Sequence, residues 1–420
     1  LTPCIIFKQI MFQTINPKDS KLRKLPYPYN GALSISSDIE FFSFVFFEEF
    51  MKFVNTDKQT KLGTGLNLEI TSSLFFFSAY DYTFSYFKGA DVNAPLSREA
   101  NRIEDYLKSG WIDTNHSYGD FFQSDEFTRA HANRYYEALE KLNVTLEVFT
   151  NHGGNNGNLG NHVDMYQGDN PDSGVYHADL LQPNGVRYIW LDSGHYNIEL
   201  LDKLRPIKNQ VLKLLGKNSG FLMKKKQLFI PEKLRDNNAF KGFIRFRSTG
   251  KHGPDFSTLD SQLKQINWNK LYKQKGISII YQHLGVISTS PEGVCTPATV
   301  DGIKNKENTL LAPFYFLAEE SQKKNLWVCG TARLLRYVDM IESTEVIYIP
   351  NKNRHELICS EKVDLAPNAF FQGLTFYTKT NHPVQLYYKN TQLKVIKNGT
   401  DETGKHSITV PIQKLENIWK

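Results

Sequence analysis

The chain has 420 residues, 40% hydrophobic and 22% charged, which supplies enough apolar side chains for a sizeable buried core. Its net charge of +6 is thinly spread, with "MKKKQ" (Met223–Gln227) a single short basic run, so nucleic acid is not an expected partner. Four cysteines, Cys4, Cys295, Cys329 and Cys359, stand far apart with no CxxC pair; this argues against a disulfide scaffold or a thiolate zinc site and fits a reducing compartment.

The opening stretch, "LTPCIIFKQIMFQTINPKD", is interrupted by Lys8 and lacks a small-residue cleavage pattern. It reads as a poor signal peptide and is too short to span a bilayer. The chain begins with Leu, and Met11 is an alternative translational start. A cytoplasmic protein with no membrane span is expected.

Eight short β-rich runs follow: "GALSIS" (Gly31–Ser36), "LNLEIT" (Leu66–Thr71), "GWIDT" (Gly110–Thr114), "VTLEVFT" (Val144–Thr150), "VRYIWLD" (Val186–Asp192), "GFIRFR" (Gly242–Arg247), "ISIIYQH" (Ile277–His283) and "LWVCG" (Leu326–Gly330). Helix-compatible segments separate them. "SDEFTRAHANRYYEALEKLN" is expected to be capped by Ser124, with Asp125 and Glu126 at its positive end. "STLDSQLKQINWNKLYKQKG" is expected to stop at Gly276. Strands alternating with helices predict an α/β fold with a mainly parallel sheet, and seven or eight units favour a barrel. After about residue 340 the runs are short and alternating, as in "TEVIYIP" and "PVQLYYKN", with "KNTQ" as a hairpin turn. The expected organisation is an N-terminal extension (1–30), a barrel (31–340) and a small antiparallel β module (341–420). Aromatic residues make up 13% of the chain, which suits a large core and a groove that stacks on sugar rings.

In an α/β barrel, functional groups gather where strands end. Ionisable groups mark five of these eight strand ends: Asp38 and Glu40, His116 and Asp120, His152, Asp192 and His195, and His283. Asp38, His116 and Asp120 form a candidate mixed oxygen and nitrogen site for one divalent ion, zinc above others. A carboxylate, Asp38 or Glu40, would activate water, and His283 would protonate the leaving group. Candidate substrate contacts are Asn151, His152, His177, Asp192 and Arg245, with His162, Asp179 and Arg247 by the same loop and face arguments. Each has a plainer reading: Asp38 as a helix cap, His283 as a satisfied core histidine, Arg245 as a structural ion pair.

The layout resembles the polysaccharide deacetylase family, carbohydrate esterases with a NodB-like homology domain. "ALSISSD" occupies the place of the family's strand ending in Asp-Asp-Gly, and "GWIDTNHSYGD" is similar to its Asn-His-Thr-x-Ser-His motif. "FTNHGG", "YIWLDSGHY" and "ISIIYQH" follow in the family's order, so the resemblance covers about residues 31–285. It implies a distorted (β/α)7-8 barrel of the polysaccharide deacetylase type and a metal-dependent removal of an N- or O-acetyl group from a saccharide. The implied setting is bacterial surface polysaccharide synthesis, on a nucleotide-linked or lipid-linked sugar. There are three departures. The paired aspartates fall on Ser36 and Ser37, with Asp38 one place late; Asp120 replaces the second histidine; and Asn151 or His152 stands where the family has arginine. Two alternatives remain open: a saccharide-binding member without turnover, and a metal-free glycoside hydrolase with paired carboxylates.

Overall fold

The computed structural model describes residues 12–121, 127–160, 164–191, 228–246, 254–290, 292–305, 309–378 and 385–419. The strands of its central sheet, beside a two-residue edge strand at Gln13–Thr14, are β1 (Gly31–Ser37), β2 (Ser72–Leu74), β3 (Ile112–His116), β4 (Val148–Thr150), β5 (Tyr188–Trp190), β6 (Phe229–Lys233), β7 (Ala239–Phe243), β8 (Gly276–Gln282) and β9 (Leu326–Val328). Seven of them pair in parallel in the order β8, β1, β2, β3, β4, β5, β7. The chain leaving β7 reaches Phe246, whose N–H donates to the Ile279 carbonyl at 2.8 Å and whose carbonyl accepts from the Tyr281 N–H at 3.0 Å. That bridge returns the pairing to β8, so the sheet curls round on itself like a barrel.

Every expected run lies in or beside this sheet, with one displacement. Residues 66–70 do not form a strand; their N–H groups bond to Phe53, Thr56 and Val54 carbonyls and to the Asn55 side chain. They follow the end of helix α1 (Phe44–Asn55), and the strand begins only at Ser72. β9 fills the gap, pairing in parallel with the first half of β1 from Gly31 to Leu33, while β2 touches β1 only at Ser37. An alternating sequence is a half-buried surface looking for a partner, and here helix α1 supplies it.

The phenylalanine wealth goes mostly inside. On α1, Phe46, Phe47, Phe50, Met51, Phe53 and Val54 are buried, and Phe75, Phe76 and Phe77 are fully buried beside them. Each such side chain contributes about 1.5–3 kcal/mol on burial. The helix expected over residues 257–276 is instead two helices, α4 (Leu259–Gln265) and α5 (Trp268–Gln274), with α2 (Ala100–Ser109) and α3 (Arg129–Leu142) earlier in the chain. The break falls at Asn267, whose side chain caps α5 by accepting from the Lys270 N–H. Thr128 caps α3; Ser124, Asp125 and Glu126 lie outside the described residues.

Two further helices, α6 (Ala312–Gln322) and α7 (Thr331–Ser343), flank β9, and α7 runs across the expected boundary at residue 340 into the next strand. The C-terminal strands are β10 (Thr344–Ile349), β11 (Arg354–Cys359), β12 (Thr375–Thr378), β13 (Leu386–Tyr388), β14 (Thr391–Leu393), β15 (Ile396–Thr400) and β16 (His406–Thr409). They form a four-stranded and a three-stranded sheet. The pairing is antiparallel except between β11 and β13, which run parallel, so the antiparallel expectation is corrected there. The hairpin turns at Lys389, φ 53°, between β13 and β14. Residues 12–30 are not a free extension: Arg23 pairs with Asp401, and the Tyr377 N–H donates to Lys21.

The C-terminal tail returns to the barrel. The Trp419 indole donates to the Tyr106 hydroxyl at 2.9 Å and packs on Trp111. Trp419→Ala is expected to lower stability by about 3 kcal/mol in urea denaturation; a loss below about 1 kcal/mol would mean the tail is not part of the core.

Under β3, Asp113 and Glu69 accept from the Ala332 and Gly330 N–H groups at the start of α7. Burial pushes the Asp113 carboxyl up to about 6, against hydrogen bonds from Ala332, Thr71 and Thr114. The folded chain therefore holds a proton there, between about pH 4 and 6, that the unfolded chain releases. Its contribution to stability is fully present below that window and falls as pH rises through it, by at most about 3 kcal/mol. Asp113→Asn is expected to flatten this slope in denaturation curves taken at several pH values.

Candidate active site

The carboxyl ends of the parallel strands carry the chemistry. The Asp38 N–H extends the β1–β8 pairing by donating to Gln282 O at 2.8 Å. Ser36 and Asp38 thus point the same way, and Arg245 reaches both: Nη1 donates to Asp38 Oδ1 at 2.6 Å and to Ser36 Oγ at 3.3 Å, and Nη2 donates to Asp38 Oδ2 at 3.0 Å. The pair is wholly buried. The guanidinium lies between the rings of Trp190, 3.6 Å away, and Tyr281, 3.9 Å away. A planar cation suits this slot because its edge forks to a carboxylate while its faces meet aromatic rings.

The chain then turns sharply. Phe41 has φ 57°, a left-handed conformation uncommon for a large side chain, and the turn brings Glu40 inward. Gly285, after His283, has no room for a β-carbon because the Glu40 carbonyl and Phe42 backbone press on it.

His116 ends β3 opposite Thr150 of β4. Thr150 Oγ1 donates to the Asn115 carbonyl, so it accepts from His116 Nδ1–H at 2.7 Å. His116 Nε2 is thereby aimed at Glu40 Oε1, 2.9 Å away. His152 Nε2 lies 3.4 Å from the same oxygen. Phe75 packs on both imidazoles with centroids 4.8 Å away. Burial alone would raise the Glu40 carboxyl, but the charges of His116, His283 and His152 outweigh it and hold it well below the usual carboxylate range. For His116 burial works against the charged form, yet the charges of Asp38 and Glu40 raise its pKa overall. Burial pushes His152 down to about 4, so it presents a neutral ring.

His283 follows β8. Its Nε2 sits 3.0 Å from the Tyr281 hydroxyl, 3.7 Å from Glu40 Oε2 and 3.9 Å from Asp38 Oδ2. Two groups of three have ligand atoms within 4.8 Å of one another among the described residues: Glu40, His116 and His152, and Asp38, Glu40 and His283. The first suits a divalent ion. It offers one carboxylate and two imidazole nitrogens, His116 is oriented from behind by Thr150, and Glu40 Oε2 is buried without a hydrogen-bond partner. The second is less suited, since Arg245 already forks onto both oxygens of Asp38.

The metal set read from the sequence, Asp38, His116 and Asp120, is neither of these groups and is corrected: Glu40 and His152 join His116 instead. Asp38 is held by Arg245, and Asp120 Oδ1 lies 4.0 Å from His152 Nε2, outside both groups. Arg245 is not offered to a substrate, because its buried fork is spent on Asp38. His177 is buried, with Nδ1 on the Tyr118 hydroxyl at 2.9 Å and Nε2 on the Gly157 carbonyl at 2.6 Å, so it closes a loop instead of meeting a ligand. Asn151 likewise exchanges two hydrogen bonds with the Leu159 backbone. Asp179 is paired with Arg129. Asp192, His195, His162 and Arg247 lie outside the described residues. Strand-end reasoning missed Thr150 and the aromatic slot of Trp190 and Tyr281. Both could have been found, since Thr150 and Trp190 close the strand runs "VFT" and "YIW".

No family model matches the chain, and no curated protein matches it. Among solved structures it is similar to the 4-alpha-glucanotransferase from Thermococcus litoralis, at a TM-score of 0.33 and 10% identity over 73% of this chain and 40% of that one. The chain thus spans less than half of that protein's length, and a likeness this distant says nothing of chemistry. No helix among the described residues is long and apolar enough to cross a membrane.

Proposed function

We propose that the protein is a metal-dependent deacetylase that removes an acetyl group from a saccharide, on a distorted barrel of the polysaccharide deacetylase type. The observation that carries this reading is the meeting of Glu40, His116 and His152 beside an Asp38 clamped by Arg245, with His283 facing both carboxylates. The motif order from residue 31 to 285 supports it, and so does the curled parallel sheet.

Glu40 Oε, His116 Nε2 and His152 Nε2 would hold the ion. When bound, a divalent ion such as zinc acidifies water and polarises an acyl oxygen. The remaining steps belong to the chain. Asp38 takes the proton of the attacking water as its oxygen bonds to the acyl carbon. Arg245 keeps that carboxylate fixed in aim. The bond between the acyl carbon and the sugar nitrogen breaks as His283 gives its proton to the departing amine. Acetate and a free amino sugar result. Both roles need groups of fixed direction, which the Arg245 fork and the Tyr281 hydroxyl provide.

The test is acetate release from N-acetylhexosamine glycans by zinc-loaded protein, with and without chelator. Chelator-sensitive release is expected. No release from any acetylated glycan by a folded, metal-loaded sample would sink the proposal and leave the saccharide-binding alternative. The metal-free glycosidase is less well served, since it needs two acids facing across a sugar bond. Here Asp38 is bound to Arg245 and Glu40 faces imidazoles.

A further inference from the structure

The two histidines of the candidate metal group are held in different ways. His116 has the usual support of a metal-binding imidazole: the nitrogen turned away from Glu40 is fixed by a hydrogen bond, here to Thr150 Oγ1 at 2.7 Å. His152 has no such bond. Its Nε2 faces Glu40 Oε1, and its Nδ1 is buried without a hydrogen-bond partner among the described residues. The backbone of His152 is firmly tied: its N–H donates to Asn158 Oδ1 at 3.0 Å, and Asn158 Nδ2 donates to its carbonyl at 2.9 Å. The torsions that aim the ring from that backbone are left to packing.

Phe75 supplies that packing. Its ring centroid lies 4.8 Å from both imidazoles, at 30° to His116 and 61° to His152. The imidazoles are themselves 5.0 Å apart and inclined by 56°. The three rings form one mutual contact, so a rotation of the His152 ring has to displace an aromatic neighbour. Phe75 is fully buried directly after β2, and the next two N–H groups, of Phe76 and Phe77, donate to the Tyr118 carbonyl at 2.8 and 3.1 Å. The wedge therefore stands on a fixed backbone. Phe76 beside it is as deeply buried, but its ring partners among the described residues are Tyr86, Phe87 and Tyr135.

We infer that Phe75 is a positioning residue that stands in for the hydrogen bond His152 lacks: its ring fixes the direction of His152 Nε2, and with it the angle between the two imidazole ligands. The inference rests on the metal-dependent reading and adds the residue that makes His152 a usable third ligand. A hydrogen bond orients an imidazole by direction, whereas a wedge orients it by excluding the other rotamers. Only a flat, rigid side chain can lie against two imidazoles at once. A leucine at the same place is as apolar but leaves the His152 ring room to turn, while His116 keeps its bond to Thr150.

The experiment uses the full chain and reads zinc affinity by competition with a chromophoric chelator, together with the visible spectrum of the cobalt-loaded protein. Phe75→Leu is expected to bind zinc at least about tenfold more weakly than wild type, the scale on which lost outer support of a ligand acts. Its cobalt spectrum is expected to move towards that of His152→Ala. Phe76→Leu removes an equally buried ring, so it is expected to lower the thermal midpoint similarly while keeping wild-type affinity and spectrum. In the cycle of Phe75→Leu with His152→Ala, the loss from His152→Ala is expected to be at least about fivefold smaller in the leucine background. Phe75→Met, which fills more of the space, takes the place of a leucine variant that does not fold. Wild-type affinity and spectrum in the folded Phe75 variant, an additive cycle, or an equal change in Phe76→Leu overturns the positioning role. Chelator-sensitive acetate release by wild type then leaves the deacetylase reading standing. The expected cycle without acetate release upholds the role and defeats that reading. A wild type that binds neither zinc nor cobalt overturns both.

Discussion

Glu40→Gln is expected to fold and to lose its bound zinc, with affinity down on the order of a hundredfold or more and acetate release down at least as far. The change keeps size and shape but removes the charge that faces His116, His152 and His283. His152→Ala should behave alike, because it deletes a nitrogen of the same group. Asp120→Asn should do less, since that carboxylate stands 4.0 Å from His152 Nε2, farther off than Glu40 at 3.4 Å. Metal content of purified protein, measured beside thermal midpoints, ranks the three. The reverse order, with zinc lost in Asp120→Asn and kept in Glu40→Gln, would restore the ligand set read from the motif alone. Metal uptake should also release protons below neutral pH: burial disfavours the charged His116, but Asp38 and Glu40 raise its pKa, so the ion competes with protonation there.

Arg245→Met is expected to cost about 3–5 kcal/mol of stability, because it leaves Asp38 buried and unpaired. Methionine roughly fills the slot between Trp190 and Tyr281 but offers no hydrogen bond. The double variant Arg245→Met with Asp38→Asn should recover much of the loss, since it buries no lone charge. Urea denaturation of wild type, both single variants and the double variant gives the coupling between the two side chains. A coupling near zero would show that the fork is not what fixes Asp38. Arg245→Lys keeps the charge without the fork, so it should hold more stability than methionine yet lose catalytic rate, as Asp38 loses its fixed aim.

How much of this was readable before any coordinates depends on the range of the force involved. The runs that became β1, β3, β4, β5, β8 and β9 were legible because apolar alternation is a local property of the chain. "LNLEIT" has the same local signature and is not a strand, because α1 offers its backbone groups a partner and β9 takes the place beside β1. His116, His152 and His283 were legible as a set, since each follows a strand and parallel strands bring their ends to one mouth.

The assignment of roles was not legible. Counting from the strand end favours Asp38 as the ligand, and only the turn at Phe41 shows that Glu40 faces the imidazoles. Asp38 is held by Arg245, on a different strand end and 207 residues away. Nothing in the local pattern of "GFIRFR" distinguishes a residue that binds substrate from one that steadies a catalytic group.

The sequence by itself thus determined the alternation of strands and helices, the mouth at which the ionisable groups gather, and the residue types available there. These follow from side-chain periodicity and from the chemistry of each residue. The tertiary structure alone decided which carboxylate meets two imidazoles and which is held by arginine. Such pairings depend on distances of a few ångströms between residues far apart in the chain. Those distances are set by how the whole sheet curls and packs, which no short stretch encodes.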